Sequence, residues 1–275
     1  MSLKEQIVEV KDYVTKSNLP ASDYVINPYI GCPHGCKYCY ACFMRRFTKH
    51  KEEWGTFIDI KQCSKPINKK RLEGKTVFLS SVTDCYNQYE EKYCITKSIL
   101  NQLISVDCTI NISTKSDLIL RDIDILKKLN NLKVCISINT LNEKFKNDMD
   151  NASSIANRLK ALKVLHENGI YVVLFMSPIF PELTDFREII KASCSFVDEY
   201  WFENLNLRGS YKEKILDYIG KKYPQHLELY KQIYIFGKKY YFNKLIDEIE
   251  QYCNENSIKY VNYFYHEKLV EKNKN

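Results

Sequence analysis

Hydrophobic positions along this 275-residue chain fall into short β-branched and aromatic runs, each followed by a stretch with apolar residues at every third or fourth place. The runs read as strands and the stretches as amphipathic helices. Strands are predicted over Tyr24 to Ile30, Thr76 to Ser80, Cys108 to Ser113, Val134 to Asn139, Tyr171 to Met176 and Tyr200 to Asn204. Helices are predicted between them over Cys94 to Ser105, Leu120 to Leu129, Ile155 to Asn168 and Phe186 to Ser193. The third follows Ser153-Ser154, which can cap it, and stops at Asn168-Gly169. Six strands separated by helix-length segments imply parallel βα units, and nearly continuous apolar strands fit a sheet covered by helices. Right-handed crossovers roll such a sheet into an open, partial TIM-like (β/α)6 barrel, whose chemistry collects at the C-terminal strand ends.

Residues 1–23 read as a polar lead-in ending at Pro20-Ala21-Ser22-Asp23, residues 24–210 as the barrel, and residues 211–275 as a mostly helical C-terminal extension packed on it. The extension is rich in aromatics and ends in an extended run, Lys259 to Phe264. Its Tyr230, Tyr234, Tyr240, Tyr241 and Phe242 offer either a stacking surface for bases or core packing, and their helical spacing favours the core.

Composition narrows the class. With 45% hydrophobic residues the chain can fill one sizeable core. The formal charge of +7 comes from 41 basic residues, mostly lysines scattered along the chain, against 34 acidic ones, which reads as a solvated surface more readily than as a nucleic-acid patch. No apolar run approaches a membrane span, and the N-terminus lacks the layout of a signal peptide. Eleven cysteines, an odd number placed mostly in apolar runs, fit reduced thiols plus a metal site better than a disulfide framework. A cytoplasmic protein without a membrane partner is therefore expected.

The candidate chemistry sits just after the first strand, in Cys32-Pro33-His34-Gly35-Cys36-Lys37-Tyr38-Cys39. Three thiolates at this spacing can hold three corners of a [4Fe-4S] cubane, and no fourth cysteine stands at the interval of a fully ligated ferredoxin-type cluster, so one iron is left open. A structural zinc site recruiting His34 or Cys42 is the competing reading. Cys39-Tyr40-Ala41-Cys42 is a second C-x-x-C, but Cys32, Cys36 and Cys39 are the favoured ligands, with His34 behind them or facing solvent.

This motif, with the aromatic Tyr38 before its third cysteine, resembles the signature of the radical S-adenosylmethionine (SAM) superfamily. The resemblance implies that SAM chelates the open iron and that reductive cleavage gives methionine and a 5′-deoxyadenosyl radical, the protein supplying aim. It also implies a reductant such as flavodoxin or ferredoxin. Residues Asn27 to Cys32, Cys39-Tyr40-Ala41 and Thr83-Asp84 resemble the spore-photoproduct-lyase-like branch. Phe78 to Tyr86, Ser113 to Ser116 and Tyr200 to Leu205 resemble more closely the radical SAM mobile pair protein A group, which is encoded beside a second radical SAM protein, a possible partner.

In that frame the strand ends supply candidate SAM contacts. Thr83 and Asp84 would accept hydrogen bonds from its ammonium group, Lys115 would pair with its carboxylate, Ser137 and Asn139 suit its ribose or carboxylate, and Met176-Ser177-Pro178 would meet adenine. Tyr38 would pack on adenine or plug the loop. Each strand-end residue is equally at home as a helix cap. Cys85 is the candidate catalytic hydrogen donor: the lyase carries its donating cysteine just before the residues matching Thr83-Asp84, where this chain has Ser80-Ser81-Val82. It can serve only if its side chain faces the cavity, and a buried thiol is its simpler role. Trp201, Phe202, Glu203, Asn204, Asn206 and Arg208 would bind substrate or lock the extension in place.

The sequence thus indicates a radical SAM enzyme with a single cluster, acting on a nucleotide or nucleic acid. The alternatives are radical modification of a peptide or partner protein, and a non-catalytic metal-binding regulator.

Overall fold

The computed structural model describes residues 3–19 and 22–265; Met1, Ser2, Pro20, Ala21 and residues 266–275, parts of the expected lead-in and extension, lie outside the described residues. In chain order the strands are β1 (Lys4–Glu9), β2 (Val14–Lys16), β3 (Tyr24–Ile26), β4 (Tyr29–Ile30), β5 (Phe57–Gln62), β6 (Thr76–Leu79), β7 (Thr109–Thr114), β8 (Leu132–Ser137), β9 (Tyr171–Ile179), β10 (Glu199–Asn204) and β11 (Tyr260–Asn262). The helices are α1 (Glu90–Tyr93), α2 (Ile95–Leu103), α3 (Ile123–Leu126), α4 (Glu143–Met149), α5 (Ile155–Glu167), α6 (Phe186–Lys191), α7 (Ser210–Lys222), α8 (Leu227–Tyr234) and α9 (Tyr240–Glu255).

Eight strands form one sheet in the order β11-β10-β9-β8-β7-β6-β3-β2. From β3 to β11 all neighbours run parallel, and β2 alone is antiparallel. Its middle six strands are the six read from the sequence. The architecture is α/β, a partial TIM-like barrel, because each crossover from β6 onward returns the chain to the same end of the sheet by way of a helix.

Two strand positions differ from expectation for stated physical reasons. The first predicted strand is split: β3 stops at Ile26, and after Asn27-Pro28 the chain leaves the barrel, so β4 pairs instead with β5 in a three-stranded sheet ordered β1-β5-β4. Pro28 offers no N–H to a ladder, and Asn27 turns its amide to the end of β6, donating to Ser81 Oγ (2.9 Å) and accepting from Val82 N (3.1 Å). The polar lead-in contains β1 and β2, whose outward polar faces hid the pattern; β1 pairs in parallel with β5 from Lys4↔Phe57 to Glu9↔Gln62. The helix expected over Leu120 to Leu129 is a 3₁₀ stretch, Asp117–Asp122, followed by the single turn of α3.

The strands alternate more than an all-apolar reading allows. Along β7, Ile110 and Ile112 are fully buried while Asn111 and Ser113 are partly exposed. The outward set, including Val77, Leu79, Ile110, Val134, Leu174 and Phe202, packs on α2, α5, α6 and α9 in the main core. The inward set, including Phe78, Asn111, Ser137, Phe175 and Trp201, lines a lumen. A second apolar cluster at the C-terminal end gathers Phe145 and Met149 of α4, Phe180, Leu205, Tyr211 and Ile215 of α7, and Tyr230 of α8. Tyr230 and Phe242 are buried, as core packing requires, whereas Tyr240 stays 79% exposed. No helix among the described residues is long and apolar enough to cross a membrane.

Candidate active site

A cavity of about 420 Å³ runs through the lumen. Cys32, Cys36, Cys39, Thr83, Asp84, Lys115, Ser137 and Ser177 line its C-terminal mouth, so eight of the sequence candidates meet in one place. Each arrives at the end of a strand or in the loop after it.

Local sequence explains why the cysteine loop sits there. β4 leads directly into Gly31, which takes φ of +83° and lies so close to β5 that a Cβ would come within 2.4 Å of the Phe57 carbonyl oxygen. Only glycine fits that approach. Beyond it, Thr83 Oγ1 donates to Gly31 O (2.7 Å), Lys37 N donates to Met149 O (2.9 Å) and Asn151 N donates to His34 O (2.8 Å).

Two buried carboxylates grip the loop from opposite sides. Asp84 accepts at Oδ1 from Tyr86 N (2.9 Å) and Thr114 Oγ1 (2.7 Å) and at Oδ2 from Lys115 N (2.7 Å), and Oδ2 lies 3.3 Å from His34 Nδ1. Burial alone would raise its pKa, but the His34 ring and these donors hold it down to about 2. All four acceptor positions are then engaged, so Asp84 positions the loop and has no lone pair left for the ammonium of a ligand. His34 is correspondingly buried behind the cysteines rather than solvent-facing.

On the other side Asp150 accepts from Arg158 Nη2 (2.7 Å), Ala152 N (3.0 Å) and the Tyr38 hydroxyl (3.2 Å). Burial would raise its pKa, yet Arg158 lowers it, with smaller help from Lys115 and Lys146. Tyr38 packs edge-on against Phe180, 5.4 Å between centroids, inside the second apolar cluster and away from the lumen. It plugs the loop and does not present its face to a ligand. Neither Asp150 nor Arg158 carries a sequence signature, since their pairing exists only once α5 folds back under the loop.

The fate of Cys85 is a correction. Ser80 adopts φ of +74° and accepts at Oγ from Cys85 N (2.7 Å), a turn that directs Cys85 into the main core, fully buried and outside the cavity. It therefore cannot reach a substrate as a hydrogen donor. Asn139 is also withdrawn, donating to Pro178 O (3.0 Å). Trp201 and Glu203 line the cavity, and the Ser177 hydroxyl donates to Glu203 Oε2, whereas Asn204 accepts from Tyr265 N (3.3 Å) and Asn206 O from the Tyr211 hydroxyl (2.7 Å), tying the C-terminal helices to the barrel.

The lumen holds polar groups that no motif announced. Lys133 donates to Glu199 (2.7 Å), which also accepts from Tyr171 (2.9 Å) and Trp201 Nε1 (3.1 Å). Above this floor, Asn111 Oδ1 is buried without a hydrogen-bond partner among the described residues. Alternation of polar and apolar residues on β7 and β8 is the signal that would have found them.

The cysteine trio fits an iron-sulfur centre. Burial pushes the thiol of Cys36 up to about 12 and that of Cys32 well up as well, with Asp84 and the neighbouring cysteines adding to the effect on Cys32. Three half-buried thiolates lining one cavity need a cationic centre to share their charge. Burial also raises Cys39, opposed first by the Ala41 backbone N–H and then by the Trp54 side chain. Among the described residues no three His, Cys, Asp or Glu side chains converge on one point; Cys32, Cys36 and Cys39 share the lining of one cavity. Cys42 does not line the cavity and packs with the second apolar cluster.

Comparisons with known proteins agree with this geometry. An uncharacterized protein of Methanocaldococcus jannaschii is 37% identical over 253 residues, covering 90% of this chain and 93% of the relative. One of Mycobacterium tuberculosis is 23% identical over 233 residues, covering 78% of this chain and 68% of the relative. The structure of spore photoproduct lyase complexed with a dinucleoside spore photoproduct superposes with a TM-score of 0.57 at 17% identity, which speaks to the fold; the match covers 79% of this chain and only 66% of the lyase. The sequence profile described as the Radical SAM superfamily matches residues 26–192, more than half of the chain, and the chain belongs to that superfamily.

Proposed function

We propose that this radical SAM enzyme holds a [4Fe-4S] cluster on Cys32, Cys36 and Cys39, binds SAM beside it, and removes a hydrogen atom from a nucleotide or nucleic-acid substrate. The observation that carries the reading is that three half-buried thiols line the mouth of one lumen together with polar strand-end groups. When bound, the cluster supplies one electron to the SAM sulfonium, releasing methionine and a 5′-deoxyadenosyl radical.

The chain's own groups do the aiming. Lys115 faces the cavity, its ammonium 5.9 Å from the Tyr38 ring, and is the natural partner for the methionyl carboxylate. Thr83 keeps acceptor lone pairs after donating to Gly31 and can take a hydrogen bond from the amino group. Ser137 and Ser177 offer hydroxyls to the ribose and adenine side. Asp84 and Asp150 keep the loop in place, and the aromatic walls Phe175, Trp201 and Tyr263 exclude water from a reactive carbon. A planar base suits such walls, and the lyase fold, known with a dinucleoside ligand, supports the same class.

The test is anaerobic reconstitution with iron and sulfide, reduction with dithionite in the presence of SAM, and quantification of 5′-deoxyadenosine. The intact protein should form it and Cys36→Ala should not. Zinc content with no SAM cleavage would move the protein to a structural role. Hydrogen transfer into the cofactor from deuterated oligonucleotides rather than peptides would establish the substrate class.

A further inference from the structure

The segment after the third cysteine carries an exposed surface that the cavity does not explain. Tyr40–Phe47 forms a 3₁₀ stretch starting at Cys39, with Phe43 41% and Phe47 68% exposed. The Arg46 guanidinium lies over both rings, 5.5 Å from the centroid of Phe43 and 4.8 Å from that of Phe47. Between Cys39 and Glu52 the chain places Arg45, Arg46, Lys49 and Lys51, all exposed, and no carboxylate. None of the four makes an ion pair with a described residue, and Glu52 and Glu53 are engaged by Lys4 (2.7 Å) and Lys214 (3.2 Å). The scattered-lysine reading of the sequence therefore fails here: the charge is local, and it is interleaved with apolar rings.

The position of this patch selects its partner. Tyr40 and Ala41 line the cavity beside Cys39, while Phe43, Arg46 and Phe47 meet solvent a few residues on. The patch thus begins four residues after the third cysteine in the chain. The Tyr40 hydroxyl donates to Ser81 O, tying the start of this segment to the turn after β6, and Phe43, Arg45, Arg46, Phe47 and Lys49 do not line the lumen. A substrate gains nothing by docking outside the lumen. A one-electron carrier does, because tunnelling falls steeply with distance.

We propose that Phe43, Arg45, Arg46, Phe47 and Lys49 form the docking surface for an acidic one-electron carrier protein of the flavodoxin type. The inference rests on the proposed function, since the electron delivered here is the one that SAM cleavage consumes. The carrier is oxidised by one electron and the centre held by Cys32, Cys36 and Cys39 is reduced by one; no bond or proton changes hands at this surface. Opposite charge steers encounter and orientation, and the two exposed rings supply the apolar contact at its centre.

The experiment uses the full chain with an oxidised acidic flavodoxin as the probe. Binding is measured by calorimetry at low and high ionic strength for the native protein, Arg45→Glu/Arg46→Glu and Phe47→Ala. Native binding that weakens with salt, and a loss of about tenfold or more in the charge-reversed variant, is the expected result. In parallel, 5′-deoxyadenosine formation is driven either by dithionite or by reduced flavodoxin. The charge-reversed variant should keep the dithionite rate and lose most of the flavodoxin rate. Flavodoxin binding that is absent from the native protein or indifferent to these substitutions overturns the proposal, as does a patch that binds an oligothymidylate in its place. Native protein that binds flavodoxin but cleaves no SAM with dithionite would leave this surface standing and remove the proposed function instead.

Discussion

Cys85 and Arg158 show how little a residue's type says about its task. Cys85 follows the Thr83-Asp84 pair that marks the site, yet the Ser80 turn sends it into the apolar core. Cys85→Ala should lower stability by about 1 kcal/mol, a fall in Tm of roughly 2–4 °C, by losing packing. It should leave 5′-deoxyadenosine formation unchanged; a collapse of product yield with normal folding would return Cys85 to the mechanism. Arg158 is 1% exposed and makes three anchoring contacts, to Asp150, Ser137 O (3.1 Å) and Ser153 O (2.9 Å). Arg158→Leu leaves Asp150 charged and unpaired behind the cysteine loop, at a cost of about 3–5 kcal/mol in chemical denaturation of the metal-free protein. A loss under about 1 kcal/mol would mean that Lys146 alone satisfies Asp150.

At the scale of elements, the small β1-β5-β4 sheet is the part of the fold that composition conceals, and it is what delivers Gly31 and Cys32 to the barrel mouth. Its strand β5 carries Lys61, whose amine is depressed to about 8 chiefly by burial, with Asp59 acting in the opposite direction. The folded state therefore binds fewer protons than the unfolded state between about pH 8 and pH 10.5, and Lys61 contributes a rise in stability across that window as pH increases. Lys61→Met should stabilise the protein by about 2 kcal/mol at pH 7 and lose that advantage by pH 10.5. Parallel urea titrations of the two proteins across this range check it, and a constant difference would show that Lys61 keeps its charge in the fold at no cost.

For the whole molecule, the lumen is a compromise between stability and use. Six strands turn their outward faces into a continuous apolar core, but their inward faces carry Lys133, Glu199, Asn111, Ser137 and Ser177. Asn111 Oδ1, buried without a partner among the described residues, costs stability that a ligand donating to it would recover. Asn111→Leu should raise the Tm of the ligand-free protein by roughly 2–4 °C, about 1 kcal/mol, while weakening substrate turnover. Unchanged stability would mean that ordered water already satisfies the amide.

The barrel strands, most of the crossover helices and the cysteine loop were legible from the chain alone, because each rests on contacts local in sequence: alternation along a strand, helical spacing over a few turns, and three thiols within eight residues. That Thr83, Lys115, Ser137 and Ser177 reach the cavity was legible for a related reason, since a strand end in a parallel barrel fixes which rim its residues occupy. Tertiary structure alone decided the rest. Whether Asp84 binds a ligand or grips His34, whether Cys85 faces lumen or core, and whether Asp150 meets Arg158 depend on side chains far apart in sequence or on one residue's positive φ. Patterns along a strand name its two faces, but only the closed sheet says which face becomes the lumen and which partners its polar groups find there.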